Sequence, residues 1–160
     1  MRLIIWFGLL ALIADQISKY VVIHVMGVSP FKEIDFLPPV LNFRYGENRG
    51  VNFGLFSSDS EITRWTLIVV ALIICIAVTR WVLRNNQSKL VQICTGLLVG
   101  GALGNVFDRV YYGYVLDFLN SSCCSWTNPT VYNVADVFIV IGALGLVFFA
   151  KDSKQRKKDA

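Results

Sequence analysis

GGALGNVFDRVYYGYVLDFLNSSCCSWTNPTVYNVAD, residues 100–136, places three carboxylates, Asp108, Asp117 and Asp136, beside Asn105, Arg109 and Asn133, with apolar runs fused to both ends. An acid at the edge of a hydrocarbon slab forfeits hydration when it ionises, so it is costly there unless it is paired or used. This stretch is therefore the candidate working site. The apolar runs on either side of it set the fold class.

Upstream lies the run 90–107, in which Gly96, Gly100 and Gly104 recur every four residues on one helical face, so that another backbone can approach closely. Downstream is the run 134–150, opening on Asn133-Val134-Ala135-Asp136, the pattern of a helix N-cap. Residues 3–25 and 63–83 supply two further apolar runs, each long enough to cross a core roughly 30 Å thick. A cleaved signal peptide fits 3–25 poorly, because Asp15, Gln16 and Lys19 interrupt it and no small-x-small site follows. The expected architecture is a membrane all-α protein with four transmembrane helices and a small extracytoplasmic region of β-sheet and loop. It forms one integral membrane domain of residues 1–160, with outer segments 26–62 and 108–133 and a cytoplasmic tail, 151–160.

Composition agrees with this. A chain of 160 residues that is 55% hydrophobic is too apolar for an ordinary soluble domain and has room for only a few spans. The net charge of +4 is weighted to the end of the chain, where Lys151, Lys154, Arg156, Lys157 and Lys158 crowd the last ten positions. No basic face with interleaved aromatics accompanies them, so they read as a topology signal, and nucleic acid is not an expected partner. Arg80, Arg84 and Lys89 flank the short connector between the second and third runs, which puts that connector, the tail and the N-terminus on the cytoplasmic side. Asp15, Lys19, Asp108, Asp117 and Asp136 then converge at the outer membrane face, with Asp117 in the outer loop.

The outer segment 26–62 carries Pro30, Pro38, Pro39, Gly46, Gly50 and Gly54, and the alternation in VLNFRYGENRGVNFGLF suggests two short strands around a Gly-rich turn. Ser58, Asp59 and Ser60 offer N-caps for the helix that follows. Cys75 and Cys94 lie in apolar runs as small hydrophobes; a disulfide between the adjacent Cys123 and Cys124 would be strained, which leaves free thiols and partial oxidation both open, and neither pair has metal-ligand spacing. His24 is the only histidine and reads as an interfacial side chain, so no metal and no cofactor are expected.

Each polar residue also has a plainer account. Asp15 and Lys19 stand four apart on one helical face, where an ion pair makes both tolerable in lipid. Asp136 would be favoured in a first helical turn by about 0.3–1 kcal/mol. Asp108 adjoins Arg109 and suits a charge-paired scaffold. Asp117 lacks such an account, being embedded in YVLDFL. Two carboxylates sharing a proton can divide the work of peptide hydrolysis, one drawing a proton from water as the other donates to the carbonyl. Asp117 and Asp136 are the favoured pair.

The segments DQISK (15–19), ENRGVNFG (47–54), GNVFDR (104–109), GYVLDF (113–118) and YNVAD (132–136) together resemble the motif set of the lipoprotein signal peptidase, or signal peptidase II, family. The resemblance spans nearly the whole chain, in the expected order. It implies an aspartyl endopeptidase of the bacterial inner membrane, multi-pass with both termini cytoplasmic, that removes the signal peptide of prolipoproteins just before a diacylglyceryl-modified cysteine. It further implies that Asp117 and Asp136 are the catalytic dyad. Asp15, Lys19, Asn48, Gly50, Gly104, Asn105, Asp108, Arg109, Asn133 and Ala135 match motif positions that bind substrate or support the site. Membrane lipid and globomycin-type inhibitors are the other implied partners. At Asn52 the chain departs from the small residue frequent in the family.

Three rival functions are weighed. A small four-helix proton-coupled transporter would need its acid near the midplane on a water path, whereas these acids gather at one face. A Ser18–Lys19 protease suffers because adjacent helical residues point in different directions. A non-catalytic lipid-binding or assembly factor would tolerate Asp→Asn changes at 117 and 136.

Overall fold

The structure is a computed structural model that describes residues 1–37, 40–50, 61–122 and 128–150. Helix α1, Arg2–Tyr20, continues through a π-helical segment, Val21–Val25, into a turn at Gly27. Two strands follow, β1 (Ile34–Leu37) and β2 (Leu41–Asn48). Helices α2 (Glu61–Arg84) and α3 (Lys89–Tyr111) form an antiparallel pair around the connector, with Ser88 capping α3 through the Val91 amide. Strand β3 (Val115–Asn120) and helix α4 (Val134–Phe149) complete the described fold.

Three helical stretches, Arg2–Val25, Glu61–Arg84 and Lys89–Tyr111, are long and apolar enough to cross a membrane. The fourth, α4, is apolar but has 16 residues, a rise of about 24 Å. Its start is buried at the level of the site.

Helix α3 is central and touches the other three helices. Its small residues explain the position. A Cβ on Gly96 would lie 2.7 Å from the Ile4 carbonyl, and one on Gly100 would overlap the Gly8 backbone, so this face seats α1. On the next face, a Cβ on Gly101 would meet the Ala135 carbonyl at 2.5 Å, and Gly142 of α4 returns the fit against the Cys94 carbonyl. Without bulky side chains between them the helix backbones approach closely, which dispersion rewards in lipid where the hydrophobic effect does not operate. Cys75 and Cys94 are free and buried.

The strands form an antiparallel sheet of order β1-β2-β3. Gly46 faces Asp117 and Asn48 faces Val115 across the β2–β3 ladder, which is offset between Phe43 and Gly46. Phe43 and Phe118 pack edge to face at 5.9 Å in one cluster with Val22 and Val28, fixing the sheet on the π-helical segment that follows α1.

Three expectations are refined. Asp117 lies within β3 and not in a loop, because Val115, Leu116 and Phe118 form a near-continuous apolar run that is buried on both faces. Asp108 and Arg109 belong to the last turn of α3, since the helix runs past residue 107 to Tyr111 before Gly113 turns the chain at φ +88°. Of the two strands expected between residues 40 and 56, the first is β2; the second falls on 51–56, outside the described residues. Ser58, Asp59, Ser60, Asn52, Cys123, Cys124 and the basic tail also lie outside them.

Candidate active site

Two elements bring Asp117 and Asp136 together. Strand β3 carries Asp117, 3% exposed, and the first turn of α4 carries the half-buried Asp136. Asn133 joins them. As N-cap of α4 its Oδ1 accepts from the Asp136 amide at 3.0 Å, and its own amide donates to Asp136 Oδ2 at 3.2 Å, a reciprocal capping box. The remaining end of the side chain, Nδ2, donates to Asp117 Oδ1 at 2.6 Å and to Asn105 Oδ1 at 3.2 Å. Asn105 closes the ring by donating from Nδ2 to Asp136 Oδ1 at 2.8 Å. The dipole account of Asp136 therefore holds, but the same cap also carries the acid to a second carboxyl group.

Burial, and next the charge of Asp136, push the Asp117 carboxyl up to about 7, against hydrogen bonds from Asn133 and Asn48 and the charge of Lys19. An acid so placed keeps a proton near neutrality that an exposed aspartate would have lost. Arg109, half-buried in the last turn of α3, donates to the Asn105 carbonyl at 3.3 Å and lies within the fields of Asp136, Asp117 and Asp108.

Behind this pair sits a buried ionic cluster. Lys19 Nζ lies 2.7 Å from Asp15 Oδ2 and 2.7 Å from Asp108 Oδ2, with all three side chains 4% exposed or less. The expected pair within α1 exists, and the scaffold partner of Asp108 is Lys19, not the adjacent Arg109. Gln16, which sequence reasoning treated only as a break in an apolar run, donates to Asp108 Oδ1 at 2.9 Å and to Asp15 Oδ2 at 3.1 Å. Gly104 makes room, since a Cβ there would lie 2.7 Å from Asp15 Oδ2, and the buried Ala135 packs beside it. Asp15 is thus fully engaged, which disfavours the carrier role that a transporter would ask of it. Ser18 Oγ donates to the Asp15 carbonyl at 2.7 Å while Lys19 is held by two carboxylates, so these two do not form a nucleophile and base.

Gly50 lies two residues beyond the end of β2 at Asn48. Beside Asp117 a cleft of about 180 Å³ opens between β2 and the segment before α4, lined by Gly46, Glu47, Asn48, Pro129, Thr130 and Val131. From Glu47 on its lining extends a set of contacts that the sequence did not group: Tyr45 Oη meets Glu47 at 3.1 Å and Tyr114 Oη at 3.1 Å, while Arg49 pairs with Glu47 and lies over the Tyr114 ring. The bond from Arg49 holds the Glu47 carboxyl below its usual range. Alternation along β2 was the signal that could have grouped Tyr45 and Glu47 on one face.

The chain is 38% identical over 141 residues to the lipoprotein signal peptidase of Sphingopyxis alaskensis, covering 88% of this chain and 80% of that one. It is 40% identical over 147 residues to that of Methylorubrum extorquens (88% and 82%), and 34% identical over 157 residues to that of Haemophilus ducreyi (97% and 94%). A bacterial membrane enzyme solved by the in meso method at 1.9 Å superposes with a TM-score of 0.77 at 27% identity, over 93% of each chain. Residues 7–151 match the family described as Signal peptidase (SPase) II. With a match that runs through every element bearing a site residue, the chain belongs to the signal peptidase II family, whose members are proteases.

Proposed function

We propose that this chain cleaves the signal peptide from diacylglyceryl-modified prolipoproteins, before the lipidated cysteine, using Asp117 and Asp136 as an aspartyl dyad. The observation that carries this reading is Asn133, whose side chain bonds the Asp117 carboxyl and the Asp136 backbone amide while Asp117 is pushed up to about 7. In this account Asp117 enters as the acid and Asp136 as the base. Asp136 takes a proton from a water whose oxygen attacks the scissile carbonyl carbon, and the Asp117 proton passes to the carbonyl oxygen, giving a gem-diol. On collapse Asp136 returns its proton to the leaving cysteine amine as the C–N bond breaks, and Asp117 recovers a proton from a diol hydroxyl.

Asn105 and Asn133 hold the acids in register, and Arg109 offers positive charge toward the forming oxyanion. Asn48 bonds Asp117 from β2, beside the cleft that would receive the peptide. Asp15, Lys19, Asp108, Gly104 and Ala135 support the pair from behind, and Gly50 shapes the turn after β2. All four apolar helices span the inner membrane in this reading, with both termini cytoplasmic, the sheet outside and residues 1–160 as one domain. Acyl chains on the substrate cysteine place the bond at the level of the dyad, and globomycin-type peptides compete there.

Incubating the purified protein with a diacylated prolipoprotein tests the reading. Release of the signal peptide with the lipidated cysteine as the new N-terminus supports it; an intact precursor after prolonged incubation contradicts it.

A further inference from the structure

Each acid of the dyad follows, by one residue, a backbone amide that is tied to the ionic cluster. The Leu116 amide donates to Asp108 Oδ2 at 3.1 Å, and Leu116 precedes Asp117. The Ala135 amide donates to Asp15 Oδ1 at 2.9 Å, and Ala135 precedes Asp136. Lys19 Nζ joins the two anchoring carboxylates, at 2.7 Å from each. One ammonium therefore ties β3 to α4 through two symmetric links, each of carboxylate, then amide, then catalytic acid. Gln16 spans the same two carboxylates in parallel.

We infer that Lys19 is a positioning residue that sets the separation and aim of the Asp117 and Asp136 carboxyl groups through the Leu116 and Ala135 amides. A charge-assisted bond is shorter and more directional than a neutral one, which suits it to hold a backbone in place. The cluster could have been apolar if packing were its only task, since buried ion pairs are often replaceable by well-packed hydrophobic residues without loss of stability. What apolar residues cannot supply is an acceptor for each of the two amides. The inference rests on the dyad reading.

The test compares Lys19→Met, Asp108→Asn and Asp108→Ala in the full-length purified protein, measuring kcat and KM on a diacylated precursor together with the melting temperature. Displacing reacting groups by about 1 Å costs on the order of 100-fold in rate, so Lys19→Met should lose about that in kcat with KM within about threefold of wild type. Asp108→Asn keeps an oxygen for the Leu116 amide and should retain about tenfold more kcat than Asp108→Ala. A Lys19→Met protein with wild-type kcat would overturn the inference, as would equal kcat in the Asn and Ala variants at 108. If Lys19→Met does not fold, the pair at 108 decides the matter. Turnover by Asp117→Asn would instead refute the dyad, a failure distinct from that of the clamp.

Discussion

Asn133 donates to Asp117 across 2.6 Å from the side chain that also caps the helix bearing Asp136. The two duties can be separated. Asn133→Ser keeps a capping oxygen but is too short to reach Asp117, so it should retain nearly wild-type thermal stability while kcat falls by about 100-fold. Asn133→Ala loses both duties and should in addition destabilise the protein by about 1 kcal/mol. Full activity in the Ser variant would show that the bridge between the acids is dispensable.

Gly104→Ala tests the seat of the ionic cluster. The new methyl would lie 2.7 Å from Asp15 Oδ2, in a space bounded by Ala135. Asp15 must shift, and overpacking of this kind costs about 1–3 kcal/mol. Thermal melting should show that loss, and cleavage should slow because Asp15 holds the Ala135 amide. A variant that melts and turns over as wild type would place Asp15 outside the support of the site.

Stability should depend on pH through Asp117. Its folded-state value is raised to about 7 from 3.8, so the folded protein holds a proton that the unfolded chain has already released. The contribution to stability is full below the unfolded value and is lost as pH rises from 3.8 toward about 7. Asp117→Asn, which cannot ionise and still accepts from Asn133, should melt above wild type at pH 8 while being inactive. That gap should narrow steadily as pH falls toward 5. A gap independent of pH would contradict the raised value.

Much of the fold was legible in the sequence because its signals are local. Long apolar runs mark the helices, and a four-residue glycine spacing marks the face of α3 that receives α1. The end of α3 was read too early, since Asp108 and Arg109 look like a departure from lipid. They remain helical because Lys19, distant in sequence, neutralises Asp108. Asp117 was read as a loop residue because a strand of six residues, Val115–Asn120, gives no periodic signal, and the partner that makes it a strand, β2, lies far upstream. The candidate carboxylate pair was visible through Asp117, an acid with no structural excuse, and through Asp136, a first-turn acid read at the same membrane face. The side chains that unite them, Asn133 with Asn105 and Lys19 with Asp108, depend on contacts between helices that no spacing encodes.

Substrate reading should depend on lipid. Buried acyl methylenes contribute roughly 0.8 kcal/mol each, so under the proposed function a diacylated cysteine would fix the depth of its own scissile bond at the dyad. The unlipidated precursor should be cleaved at least about tenfold more slowly at matched membrane concentration. Equal rates would show that side chains, not acyl chains, position the bond.

The central claim is that Asp117 and Asp136 act as one unit, and it is tested most directly by single-turnover cleavage of a diacylated precursor by wild type, Asp117→Asn, Asp136→Asn and the double variant, each confirmed as folded by its melting curve. Groups that act together are strongly non-additive, so each single variant should lose all measurable cleavage and the double should be no worse than either. Turnover near the wild-type rate in either single variant would contradict the account.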